Sequence, residues 1–133
     1  MSDWQTELLE KYPKTFKNLS HFECQEGWKT IIEAISKFIE DYNNTILNEE
    51  NYVTASQVKS KFGGLRYYIS SFAEAEDENY TQYKNNIEAI YNLISHYEGI
   101  SYSICSSCGI HLEKDESGPT KIWGDKTCKN CSK

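Results

Sequence analysis

The sequence predicts an α+β domain: a β-hairpin or small antiparallel sheet packed on two amphipathic helices, with a C-terminal zinc ribbon. Apolar residues recur with helical period from Trp28 to Ile46 and again from Tyr80 to Tyr97. β-Branched and aromatic residues flank Gly63-Gly64, and two CxxC pairs lie near the C-terminal end. A chain of 133 residues, 38% hydrophobic and 26% charged, suits one domain able to bury an ordinary core without disulfides. The expected division is an α+β core over 1–101 and a zinc-ribbon segment over 102–133, folded as one compact unit.

The first 23 residues carry Trp4, Leu8, Leu9, Tyr12 and Phe16, with Pro13 interrupting any long helix. Proline lacks the backbone donor and clashes with the preceding turn, so two short helical pieces, or a helix and a loop, are expected. After Gly27, one apolar stripe comprises Trp28, Ile31, Ile32, Ile35, Phe38, Ile39, Tyr42 and Ile46. Lys29, Glu33, Lys37 and Asp41 occupy the opposite face, Glu33 and Lys37 in the favourable i,i+4 order. Asn43, Asn44, Asn48 and Asn51 mark a fraying end. The second helical period runs through Tyr80, Tyr83, Ile87, Ile90, Ile94 and Tyr97, with Gly99 as its stop. It suits packing against the hairpin, a coiled-coil seam being the alternative.

Between the helices, a two-residue turn at Gly63-Gly64 would set Phe62 opposite Leu65, Ser60 opposite Tyr67 and Val58 opposite Ile69 on one face. Lys59, Lys61, Arg66, Tyr68 and Phe72 would share the other, with Lys61 and Arg66 as direct neighbours. Like charges set opposite each other destabilise a sheet, so a negative group is expected to compensate. It would be either intramolecular, from the acidic run Glu74 to Glu78 or an acidic helix residue, or an external anion. In the latter case Arg66 is a fork for phosphate or carboxylate and Tyr68 a stacking surface.

The strongest chemical signal is Cys105-Ser-Ser-Cys108, nineteen residues beginning with Gly109, then Cys128-Lys-Asn-Cys131. Two CxxC pairs at this separation match a zinc pattern, and four thiolates fill a tetrahedral shell with no position left for water. Zn2+ bound by Cys105, Cys108, Cys128 and Cys131 would therefore be structural. Disulfide and redox readings compete, but the first is disfavoured inside cells and the second expects a βαβ setting. His111 is not needed as a ligand, and Cys24 reads as a small core residue.

Charge narrows the function. A formal net charge of -6 argues against a general nucleic-acid coat, although a local basic patch remains open. No basic-then-apolar leader and no run of roughly 20 apolar residues is present, which points to an intracellular, cytoplasmic protein with no membrane contact. Among 14 Lys and Arg residues, Arg66 is the one arginine. No GxSxG, HExxH, P-loop or dinucleotide fingerprint is found, and His21, His96 and His111 are scattered, so a non-enzymatic role is expected.

Together, Glu10-Lys11-Tyr12-Pro13, the Glu23-Cys24-Gln25-Glu26-Gly27-Trp28 box, the stretch from Val58 to Tyr68, and Cys105 to Cys131 with Trp123 and Thr127 form a recognisable set. In these, nearly the whole chain resembles a family of small, mostly uncharacterised bacteriophage and prophage proteins with a KFGxLR[FY]Y hairpin motif and a terminal CxxC ribbon. It departs from them in having Ile110-His111-Leu112 where a Pro-Gly usually follows the first CxxCG, and in a longer, more polar ribbon loop. The resemblance implies a viral protein in a bacterial host cytoplasm and carries no activity over to individual residues. The preferred expectation is a binding protein that inhibits or modulates a host bacterial factor such as a defence system. One alternative is an anion or nucleotide binder that sequesters a small phosphorylated ligand through Lys59, Lys61, Arg66 and Tyr68. The other is a zinc-ribbon nucleic-acid binder using the tail lysines Lys121, Lys126, Lys129 and Lys133.

Overall fold

The computed structural model describes residues 3–71, 80–112, 117–120, 126–128 and 131. Its elements are α1 (Trp4–Lys11), α2 (Lys29–Asn43), the antiparallel strands β1 (Thr54–Lys61) and β2 (Gly64–Ser70), α3 (Tyr80–Ser101), and the short antiparallel pair β3 (Ser117–Thr120) and β4 (Lys126–Cys128). The architecture is α+β. Phe72, the acidic run from Glu74 to Glu78, Ile122 and Trp123 lie outside the described residues.

Helix α1 begins where the Asp3 carboxylate accepts from the Gln5 N–H, and ends at Lys11, two residues before Pro13. The turns that follow bury Tyr12 and Phe16 and are pinned to α2 by Glu40. That buried carboxylate accepts from the Thr15 backbone N–H and hydroxyl, each at 2.9 Å. Helix α2 buries Ile31, Ile32, Ile35 and Ile39 as its period requires. Phe38, expected on this stripe, is 45% exposed because the stripe is narrower than eight residues would make it. Glu33 turns to Lys11 and Tyr12 rather than to Lys37, which pairs with Asp41. Asn43 does not fray: it is fully buried and exchanges two 2.8 Å hydrogen bonds with the backbone of Val53, fixing the entry to β1.

The hairpin corrects the expected register. Its turn is Phe62-Gly63, both residues at positive φ (54° and 81°), as a type I′ turn demands. Lys61 therefore pairs with Gly64, Ser60 with Leu65, Lys59 with Arg66 and Val58 with Tyr67. Relative to the expectation the strands have slipped by two residues, which changes every partner and preserves both faces. Phe62 leaves the inner face for the turn, 46% exposed. A bulge between Ala55 and Gln57 then sets Ile69 opposite Ala55 instead of Val58.

A two-stranded sheet has two open edges, and here both are covered. Along β1, the Glu23 N–H donates to Val58 O at 2.8 Å and Ser60 N donates to Glu23 O at 3.0 Å. Along β2, Leu65 N donates to the Ser101 hydroxyl and Tyr67 N to the Glu98 carboxylate, both 2.8 Å and both on α3. Val58, Leu65 and Tyr67 face the core with the isoleucines of α2 and with Ile87, Ile90 and Ile94 of α3. The Tyr67 hydroxyl meets Ser36 at 2.9 Å, and burial pushes its pKa up, holding it neutral. Helix α3 thus packs on the hairpin and on α2, and it continues through Gly99 to Ser101 rather than stopping there. No described helix is long and apolar enough to cross a membrane.

Candidate functional site

The cysteine cluster draws on two stretches of chain. The first is a tight turn in which Gly109 N donates to Cys105 O and Cys105 N to Ile110 O, each at 2.9 Å. Gly109 has φ +84°, so a side chain at this position would strain the turn. Cys128, at the end of β4, and Cys131 supply the other two thiols. The Sγ atoms of Cys105, Cys108, Cys128 and Cys131 all lie within 4.8 Å of one another, with 3.8 Å between Cys108 and Cys128. A tetrahedron with metal–sulfur bonds of about 2.3 Å has sulfur–sulfur edges of about 3.8 Å, whereas a disulfide needs about 2.05 Å. The cluster therefore fits a metal ion, and the four cysteines are free thiols.

The thiols differ in how readily they ionise. Burial opposes ionisation of Cys105, but backbone N–H groups of Cys108, Cys128 and Ser107 outweigh it and bring the thiol down to about 6. One of these bonds, from Cys128 N to Cys105 Sγ, is 3.2 Å long. The Ser107 hydroxyl favours the Cys131 thiolate, yet the neighbouring sulfurs of Cys128 and Cys108 prevail and push Cys131 up to about 12. Four sulfurs this close ionise together only when a cation sits among them. His111 is exposed and is not part of the cluster.

Sequence reasoning missed how this cluster is mounted. Gly27 N donates to Ser106 O at 2.9 Å, and a Cβ on Gly27 would come within 2.1 Å of Cys105 O. A Cβ on Gly109 would lie 3.1 Å from Gly27 O, so two glycines let the backbones meet face to face. Beside them the fully buried Trp28 donates its indole N–H to Ile104 O at 3.0 Å. The signal was present as a glycine adjoining a large aromatic residue, but adjacency alone does not say what the glycine approaches.

The second predicted site is the outer hairpin face. Lys59, Lys61, Arg66 and Tyr68 do share it, but Arg66 faces Lys59 and not Lys61. The expected carboxylate partner is not found among the described residues, whose ion pairs leave these three cations out. Rings take that place: Lys59 lies over Tyr68, Lys61 over Phe62 and Arg66 over Tyr102, at 5.9, 5.4 and 5.9 Å. Arg66 is held further by bonds from its guanidinium to Tyr102 Oη at 3.0 Å and Leu65 O at 3.2 Å. Tyr102 was not anticipated. Its ring fills the space above Gly64, where a Cβ would lie 2.4 Å from Cζ.

Fold and site define an α+β domain whose C-terminal segment is held by a four-cysteine cluster able to bind a metal ion. Compared with known proteins, the chain matches no family model, no curated protein and no solved structure.

Proposed function

We propose that this chain is a non-enzymatic binding protein, stapled by a structural Zn2+, that acts on a host bacterial factor such as a component of a defence system. The observation that carries the reading is the four-sulfur cluster seated on Gly27 and Trp28. A shell of four protein ligands has no position for water or substrate, so the metal serves as scaffold rather than as catalyst. Tetrahedral all-sulfur sites select zinc or iron, and zinc is favoured because the spacing of the two CxxC pairs matches its ligand pattern. Support for a viral setting in a bacterial cytoplasm comes from the sequence resemblance, an analogy rather than a physical argument.

Binding would use the acidic balance of the surface. Glu10, Glu26, Asp41, Glu50 and Glu88 are exposed, and a compact acidic body competes with nucleic acid for a basic partner. The alternative of a ribbon-borne nucleic-acid site rests on Lys121, Lys126, Lys129 and Lys133, whose side chains lie outside those described. The test is capture from nuclease-treated bacterial lysate on the immobilised full-length chain, read by mass spectrometry. Recovery of one bacterial protein above a bare-matrix control is expected; no protein above that control contradicts the reading.

A further inference from the structure

We propose that the outer face of the β1–β2 hairpin, completed by Tyr102, docks a short single strand of nucleic acid. Phosphates would lie on Lys59, Lys61 and Arg66 and bases on the rings of Tyr68 and Tyr102. The inference goes beyond the host-factor reading and stands if that reading fails.

Three facts carry it. First, the face concentrates three cations on a chain of net charge -6, and among the described residues no carboxylate pairs with them. Clustering like charges costs stability, and among the described residues ring contacts, not carboxylates, offset it, so an anion would complement this face. Second, the two tyrosine rings are exposed, Tyr68 by 40% and Tyr102 by 36%. Third, the rings are spaced along β2 with Arg66 between them. Tyr102 covers Gly64, and Tyr68 lies four residues further along the same strand face, roughly 13 Å at about 3.3 Å per residue. One base cannot span that distance, but successive bases of one strand can. The order ring, guanidinium, ring matches the alternation of base and phosphate, and base-on-aromatic stacking tolerates any sequence. A polyacidic peptide would satisfy the charges and leave the rings unused.

The acidic remainder of the chain sets the scale. With three phosphate contacts and a single-strand slope of about -0.7 per contact, log K should fall with log salt at a slope near -2. Between 50 and 200 mM salt that is a loss of about 20-fold. The experiment is fluorescence anisotropy of a labelled ten-residue oligothymidylate with the zinc-loaded, reduced full-length chain across this range. Binding with that slope is expected. Lys59→Ala and Lys61→Ala should each flatten the slope by about 0.7, and Tyr68→Ala should weaken binding by about 5-fold or more at every salt concentration, restored by Tyr68→Trp. Lys59 and Tyr68 lie outside the core, so these variants should melt as the unmodified chain does. No binding at 50 mM salt overturns the proposal, as does a slope that the lysine variants leave unchanged. So does displacement of the oligonucleotide by ATP or polyglutamate as effectively as by unlabelled oligonucleotide. The lysate capture is nuclease-treated, so its outcome is independent of these.

Discussion

The two strand pairs of this molecule solve one problem in opposite ways. Strands β1 and β2, eight and seven residues long, bury a face in a core that includes α2 and α3, and their edges are covered by Glu23 and by the α3 residues Glu98 and Ser101. Strands β3 and β4 have four and three residues, and the buried cluster beside them among the described residues is Cys105, Leu112 and Cys128. A two-stranded ribbon is marginal in water by itself. The first pair borrows stability from apolar burial. For the second, the described residues supply a cluster of four sulfurs able to hold a metal ion. The difference shows why Gly27 and Trp28 matter: they are where the segment carrying the cysteine cluster rests on the core.

The largest expected effect breaks the second pair alone. Removing the metal with a chelator, or replacing Cys108 by Ser, should abolish a contribution on the order of 10 kcal/mol. Amide exchange should then lose protection at Gly109 and Leu112 while Leu65 and Tyr67 keep theirs. Loss of protection throughout would show that the two pairs are not separable. Next, Trp28→Ala should cost about 3–5 kcal/mol in denaturant unfolding, because it empties the core and leaves Ile104 O without its donor. Leu65→Ala should cost about 2–5 kcal/mol and leave zinc content unchanged. Tyr67→Phe, which loses only the hydroxyl contact with Ser36, should cost about 1 kcal/mol.

The smallest effect is electrostatic and belongs to α1 and α2. Hydrogen bonds from Lys11 and Tyr12 hold the Glu33 carboxyl below the usual carboxylate range. A depressed pKa contributes stability above the unfolded value of 4.5 that is lost as pH falls through the folded one. Glu33→Gln should therefore lower the melting temperature slightly at neutral pH, and the difference from the unmodified chain should vanish at lower pH. A difference that persists in acid would mean that Glu33 acts through packing.

Much of this was legible in the sequence, for identifiable reasons. Helical period found α2 and α3 because isoleucines at i, i+3 and i+4 have no other way to be buried together. The paired CxxC spacing found the cluster because thiol chemistry restricts the options. The hairpin faces were legible too, but its partners were not. Gly63-Gly64 offers two places for positive φ, but the turn takes Phe62 and Gly63 and leaves Gly64 in β2 beneath the Tyr102 ring, 38 residues away in sequence. Gly99 misled for the same kind of reason, and Asn43 did so in part, since it does end α2 but does not fray. Local propensity marks both as terminal, whereas α3 continues past the first and Val53 fixes the second, at the end of α2, with two buried hydrogen bonds.

The central claim is that one zinc ion, held by Cys105, Cys108, Cys128 and Cys131, ties the C-terminal segment to the α+β core. Native mass spectrometry of the full-length chain purified under reducing conditions tests it most directly. The account predicts the mass of the chain plus a single zinc ion, absent from the Cys108→Ser variant. A metal-free mass with amide protection intact at Gly27, Gly109 and Leu112 would contradict it.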